Sequence, residues 1–145
     1  MAGRLSSEPV VKVGTHLGPY EILARLGAGG MGEVCRARDE RLRREVAIKV
    51  LPDLMTEMKS ATARFEREAR SVAALSHPNI FAIHDFGIDN GVAYAVMELL
   101  DGATLRDRLN QSNVSLSRVL DWAHQIAQGL AAAHERGVIR VQGAR

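Results

Sequence analysis

A chain of 145 residues with 46% hydrophobic and 25% charged residues can bury the core of one ordinary domain, which excludes a disordered segment and a small disulfide-stapled scaffold. Its single cysteine, Cys35, excludes an internal disulfide and fits a reducing compartment. The net charge of +2 is too small for a nucleic-acid-binding surface, and no stretch has the length of a membrane-spanning helix or of an apolar signal core, so the expectation is a soluble, cytoplasmic protein.

Residues Met1 to about Gly14 mix Gly, Ser, Pro and single apolar residues without period and read as a mobile arm, assigned to residues 1–16. Short alternating runs follow on both sides of a glycine cluster, Leu26-Gly27-Ala28-Gly29-Gly30-Met31-Gly32-Glu33-Val34. Glycine at 27, 29 and 32 removes the side chains that would hold a polyanion away, so backbone N–H groups can approach phosphate oxygens. Such spacing also occurs in dinucleotide-binding folds, where the glycines close a strand and open a helix. Here Glu33-Val34-Cys35-Arg36-Ala37-Arg38 alternates like a strand, which favours a hairpin.

A charged run, Asp39 to Arg44, predicts a solvated turn before a third strand, Glu45 to Leu51, ended by Pro52-Asp53. Period two places Ala47 and Lys49 on one face and Val46, Ile48 and Val50 on the other. Lysine is scarce here (only Lys12, Lys49 and Lys59), and Lys49 stands out inside an apolar strand. Between Met58 and Leu75 the period becomes helical, with Ala61, Phe65, Glu68, Val72 and Leu75 on one stripe. A carboxylate there is costly unless paired. From spacing alone two readings stand equally: Glu68 pairs with Lys49, or it lies at the stripe's edge and reaches water beside a neighbouring arginine.

Ser76-His77-Pro78-Asn79 stops that helix, and two apolar runs joined by Asp89-Asn90-Gly91 predict a hairpin. This gives five strands in a meander interrupted by one helix. The histidines show no ligand-like cluster, so no metal site is expected. Thr104 with Asp107 predicts a capped short helix. A longer one runs from about Ser117 to Arg136, with Leu120, Ala123, Ala127, Leu130 and His134 on its apolar side, Trp122 and Ile126 widening it, and Gly137 as its stop.

In this order and spacing the pieces resemble a protein kinase, most like the bacterial serine/threonine kinases. Gly27-x-Gly29-x-x-Gly32-x-Val34 is similar to the kinase glycine-rich loop, Val46-Ala47-Ile48-Lys49 to the third-strand lysine motif, and Glu68 to the acid that pairs with that lysine. Ser76 to Ile80 and Val96 to Leu105 are further family-like stretches. The resemblance implies an α+β fold: a five-stranded antiparallel small lobe with one long helix over residues 17–100, then the first two helices of a large lobe over 101–145. It implies ATP as ligand, held by Leu26, Gly27, Ala28, Gly29, Gly30, Met31 and Gly32. Adenine would lie between Val34 and Ala47, with Met97 behind it and the backbone of Glu98 and Leu100 at its edge. Lys49 would meet the α- and β-phosphates, aligned by Glu68.

The family pattern continues into His-Arg-Asp and later Asp-Phe-Gly. Here Ala133 to Ile139 runs instead into Arg140-Val141-Gln142, and the last acid is Glu135. The family's catalytic base and its Mg²⁺ ligands therefore have no counterpart in these residues, and the sequence reads as a truncated kinase domain with no phosphoryl transfer of its own. Two alternatives stand beside it: a non-catalytic module that binds nucleotide or another kinase domain, or self-associates through the apolar side of helix 117–136, and a fragment without independent function.

Overall fold

The computed structural model describes residues 10–29, 32–51, 59–111 and 113–138. Among these residues six antiparallel strands form one sheet: β1 (His16–Leu17), β2 (Tyr20–Gly29), β3 (Gly32–Asp39), β4 (Arg44–Val50), β5 (Ile83–Asp89) and β6 (Val92–Met97). Among the described residues three helices accompany it: α1 (Lys59–Ala73), α2 (Leu105–Leu109) and α3 (Leu116–Glu135). The strand order is β1-β2-β3-β4-β6-β5.

That order departs from a simple meander. The hairpin after α1 turns so that its second strand, β6, lies against β4 while β5 takes the sheet edge. Composition explains the choice. Ala93, Tyr94, Ala95 and Val96 are all buried, as a central strand with both faces covered requires, whereas β5 carries the carboxylates Asp85 and Asp89, charges suited to an edge. The connection is the expected one: Asp89 pairs with Val92, and Asn90 and Gly91 both take positive φ (47° and 80°), the twist that suits a tight hairpin.

Residues directly opposite one another across a ladder share a face. Cys35 faces Ile48, Ala37 faces Val46, Val50 faces Tyr94 and Ile48 faces Val96, and all of these lie in the buried core with Leu17, Tyr20 and Ile22. No helix is needed to cover that face, because the sheet curls over it. The Gly18 N–H donates to Asp89 Oδ2 at 2.8 Å and the Tyr20 hydroxyl to Asp85 Oδ2 at 2.7 Å, joining the β1–β2 corner to the strand at the opposite edge. The Tyr20 and Tyr94 rings meet edge to face at 6.1 Å inside the curl.

Residues 10–16, read from sequence as part of a mobile arm, are tied to the sheet at a few points while Lys12 to His16 stay exposed. Val11 is buried in the core, the Gly14 N–H donates to Ile22 O and His16 pairs with Glu21. Val11, with Val10 packed beside it, suffices once the curl offers them a seat. The charged turn is also less solvated than expected: Asp39 is 1% exposed, with Oδ1 accepting from the N–H groups of Arg41 and Leu42. Arg43, at φ 51°, completes that turn.

Helix α2 begins with the expected capping box between Thr104 and Asp107. α3 ends at Gly137 (φ 76°), with the Gly137 and Val138 N–H groups donating to His134 O and Ala133 O, which satisfies the last carbonyls. Its covered side is not the one read from sequence. Leu120, Ala123, Ala127, Leu130 and His134 are exposed, and Gly129 and Ala133 are buried. The small residues favour this: a Cβ on Gly129 would lie 3.1 Å from Asn79 O, closer than an ordinary contact, so glycine eases the approach of the 76–80 turn, and Asn79 Nδ2 donates to Gln125 Oε1 at 3.2 Å.

Two substitutions test the closure of the sheet. A Cβ on Gly87 would overlap the Tyr94 hydroxyl oxygen, so Gly87→Ala is expected to destabilise by about 1–3 kcal/mol in a denaturant melt. Tyr20→Phe removes a bond to a carboxylate, with an expected loss of roughly 1.5–3 kcal/mol. Burial, then Asp85, pushes the Tyr20 phenol up to about 12. The unfolded phenol ionises near 10, so this contribution should be intact below about pH 10 and decline as pH rises toward 12. Melts between pH 9 and 12 on wild type and Tyr20→Phe should converge.

Candidate functional site

The glycine hairpin is regular up to its tip. Gly27 pairs with Val34, Ala28 with Glu33 and Gly29 with Gly32. Gly30 and Met31, both assigned to the site from sequence, lie outside the described residues, as does the side chain of Ala61. Between Arg25 and Gly27 the register shifts, leaving Leu26 without an opposite residue, with its side chain 53% exposed. Arg25 lies opposite core-facing Cys35, so alternation directs Leu26 away from the core, and the bulge lets Gly27 fall opposite Val34.

Register assembles four more of the named residues on the face away from the core. Val34 lies opposite Lys49, Ala47 opposite Met97, and Lys49 opposite Ala95. The glycine hairpin thus flanks a patch of small and apolar side chains with one ammonium among them. Met97 ends β6, and the next residue is tied inward: the Glu98 N–H donates to Ala82 O at 2.8 Å, and Glu98 Oε2 accepts from the Ala82 N–H at 3.2 Å. What the Glu98 backbone has left to offer is its carbonyl. Leu100, two residues on, is 66% exposed.

Helix α1 lies on this same face. Phe65 meets Phe86 with ring centroids 5.6 Å apart, and Phe86 is opposite Ala95, which is opposite Lys49. Ala69 is buried, while Phe65, Glu68, Val72 and Leu75 are half-buried, so the stripe read from sequence is the packed one. The ion pair implied for Lys49 and Glu68 is not made: among the described residues no carboxylate lies within 4.0 Å of Lys49. The anchor explains it. Phe86 sits two strands from Lys49, about 10 Å at ordinary strand spacing, and Glu68 follows Phe65 by a single helical turn.

The Arg25–Glu33 pair, the grouping of His16, Glu21 and Glu40, and a groove beside α3 stood outside the sequence reading. Glu33 is 4% exposed and pairs with Arg25 at 3.2 Å. Burial, with Glu33 nearby, pushes the Cys35 thiol up, so that lone cysteine is a packing residue. His16, Glu21 and Glu40 bring potential ligand atoms within 4.8 Å of one another at the base of the hairpin, far along β2 from the glycines. Sequence could not show this grouping, because Glu40 joins it only through the turn. It is the one set of three such groups among the described residues. A separate groove of about 470 Å³ lies between α2, α3 and Asn79, with Arg108, Arg118, Trp122 and Ile126 on its walls. No helix among the described residues is long and apolar enough to cross a membrane.

The protein kinase domain family matches residues 20–141. The chain belongs to the protein kinase family. It is 41% identical over 133 residues to the serine/threonine-protein kinase PknD of Mycobacterium tuberculosis, covering 91% of this chain and 20% of that protein. It is 44% identical over 127 residues to a probable serine/threonine-protein kinase of Streptomyces coelicolor, covering 84% and 19%. Among solved structures, the PknI kinase domain of Mycobacterium tuberculosis superposes with a TM-score of 0.73 at 30% identity, covering 88% of this chain and 52% of that one. The chain therefore spans about a fifth of the curated relatives and about half of a solved kinase domain.

The Phe65–Phe86 contact holds α1 to the kinase small-lobe sheet. Phe65→Ala removes a ring pair worth about 0.5–1.5 kcal/mol beyond its buried area. Hydrogen exchange should accelerate across residues 59–73 while β4 and β6 stay protected.

Proposed function

We propose that this segment is the ATP-binding half of a bacterial-type serine/threonine kinase domain. The observation that carries the reading is the register that puts Val34, Ala47, Lys49 and Met97 on one face beside the glycine hairpin. The residues fit the ligand. Adenine is flat and apolar on both surfaces, matching Val34 and Ala47, with Leu26, directed away from the core, at the same rim. Met97 backs the pocket. The Glu98 carbonyl accepts from the adenine edge, and Leu100 offers its N–H. The backbone of residues 27–29 and 32 meets phosphate oxygens, and Lys49, with no carboxylate of the described residues within 4.0 Å, offers them its positive charge.

Glu68 reaches Lys49 when α1 moves from its seat on Phe86 toward β4. That motion would hold the ammonium on the α- and β-phosphates, a positioning role. Transfer of the γ-phosphoryl group needs a base for the hydroxyl proton, and residues 136–145 contain no acid. These 145 residues alone are therefore inactive.

A thermal melt with and without Mg-ATP tests the reading. At a hundred times Kd a folded binder gains about 2.7 kcal/mol. Lys49→Met should abolish that gain while leaving the unliganded melt close to wild type. A melt blind to nucleotide in the wild type refutes ATP binding, and phosphate transfer that is lost in Lys49→Met refutes inactivity.

A second reading rests on α3, where Leu116, Leu120, Ile126 and Leu130 are 38–74% exposed. A face of that kind favours self-association or a partner. Sedimentation of wild type against Leu120→Glu decides it: a monomer in both cases removes the motive.

A further inference from the structure

Glu33 stands where its neighbours are apolar. It lies on the core face of β3, opposite Val50 and two residues from Cys35, and its side chain is 6% exposed while that of Arg25 is 42% exposed. Oε1 meets Arg25 Nη2 at 3.2 Å, and Oε2 is buried without a hydrogen-bond partner. A buried carboxylate is costly when one of its oxygens is unsatisfied, and an apolar side chain of that volume would serve the core as well or better. Simple core packing therefore does not account for it.

The hairpin supplies the account. Strands rich in glycine specify their register weakly, since few side chains penalise a slip. This hairpin carries glycine at 27, 29 and 32 and an unpaired residue at Leu26. Arg25 and Glu33 bracket that bulge from opposite strands. If β2 slips by one residue, Arg25 turns to the other face and leaves the Glu33 carboxylate buried and unpaired, so one register is favoured strongly over its neighbours.

We infer that the Arg25–Glu33 pair is the register pin of the glycine-rich loop. It acts from the core side of the sheet and positions Leu26, Val34 and the 27–29 backbone on the nucleotide side without touching the ligand. The inference rests on the ATP reading of that site, and concerns which residues organise it.

The test uses the full chain with Glu33→Met, Arg25→Gln and the double variant, measuring amide exchange, melting temperature and Mg-ATP affinity. Glu33→Met keeps volume and removes both the charge and the orphaned oxygen, so its melting temperature should equal or exceed that of wild type. Exchange at residues 25–29 and 32–35 should nevertheless rise about tenfold in each variant, with β4 and β6 unchanged and no further rise in the double. Mg-ATP affinity should fall by a similar factor. Hairpin exchange equal to wild type in Glu33→Met and Arg25→Gln overturns the inference, as does a rise spread evenly over the sheet. If the wild type binds no nucleotide, the ATP reading fails, and the exchange measurement still decides the register pin.

Discussion

The two faces of β4 impose opposite demands on one strand of seven residues. Val46, Ile48 and Val50 fill the core, while Ala47 and Lys49 face the site. Alternation makes this possible only if the core face is sealed without help from the other side. The curl of the sheet provides the seal. Tyr94 lies between Gly18 and Gly87, where any side chain would collide with its hydroxyl, and Tyr20 ties that corner to Asp85 on the far edge. Because the core closes on itself, the opposite face is released from packing and can hold an ammonium, a row of small residues and a glycine hairpin.

The same arrangement explains why α1 is held by so little. A helix that completed the core would be fixed by many large side chains. Instead α1 rests on the already finished sheet through Phe65, Ala69 and its half-buried stripe, with Phe86 as the ring partner. An element of this kind can shift by part of a strand spacing without opening the core. The separation of Glu68 from Lys49 is then a matter of where a loosely seated helix stands, and the chemistry of the site depends on what moves it.

How much of this was legible follows from the range of each signal. The glycine hairpin, the Lys49 alternation, the Asn90-Gly91 turn and the Thr104 cap are set by residues within a few positions of one another, and each stands as read. Properties decided by distant partners were not legible. Val11 is buried because the curl offers it a seat. β6 pairs with β4 because both faces of that position are covered. α3 turns Gly129 rather than Leu130 inward because Asn79 approaches there. The Lys49–Glu68 pair belongs to the same class, since the helical stripe placed Glu68 on the right face but gave no measure of how far along the sheet Phe65 would anchor it.

Glu33 joins the local and distant kinds of signal. Its position next to Val34 is plain in the sequence, and alternation alone puts it on the core face, where an acid is an anomaly. The anomaly has meaning only beside the glycines, whose freedom lets the backbone approach a phosphate and also lets the strand slip. Conformational freedom at the tip and register at the base are therefore opposed requirements on a single hairpin. A buried charge pair reconciles them, because its cost falls on the wrong registers more heavily than on the right one. The glycine loop is usable as a phosphate cradle to the extent that something outside it decides where it sits.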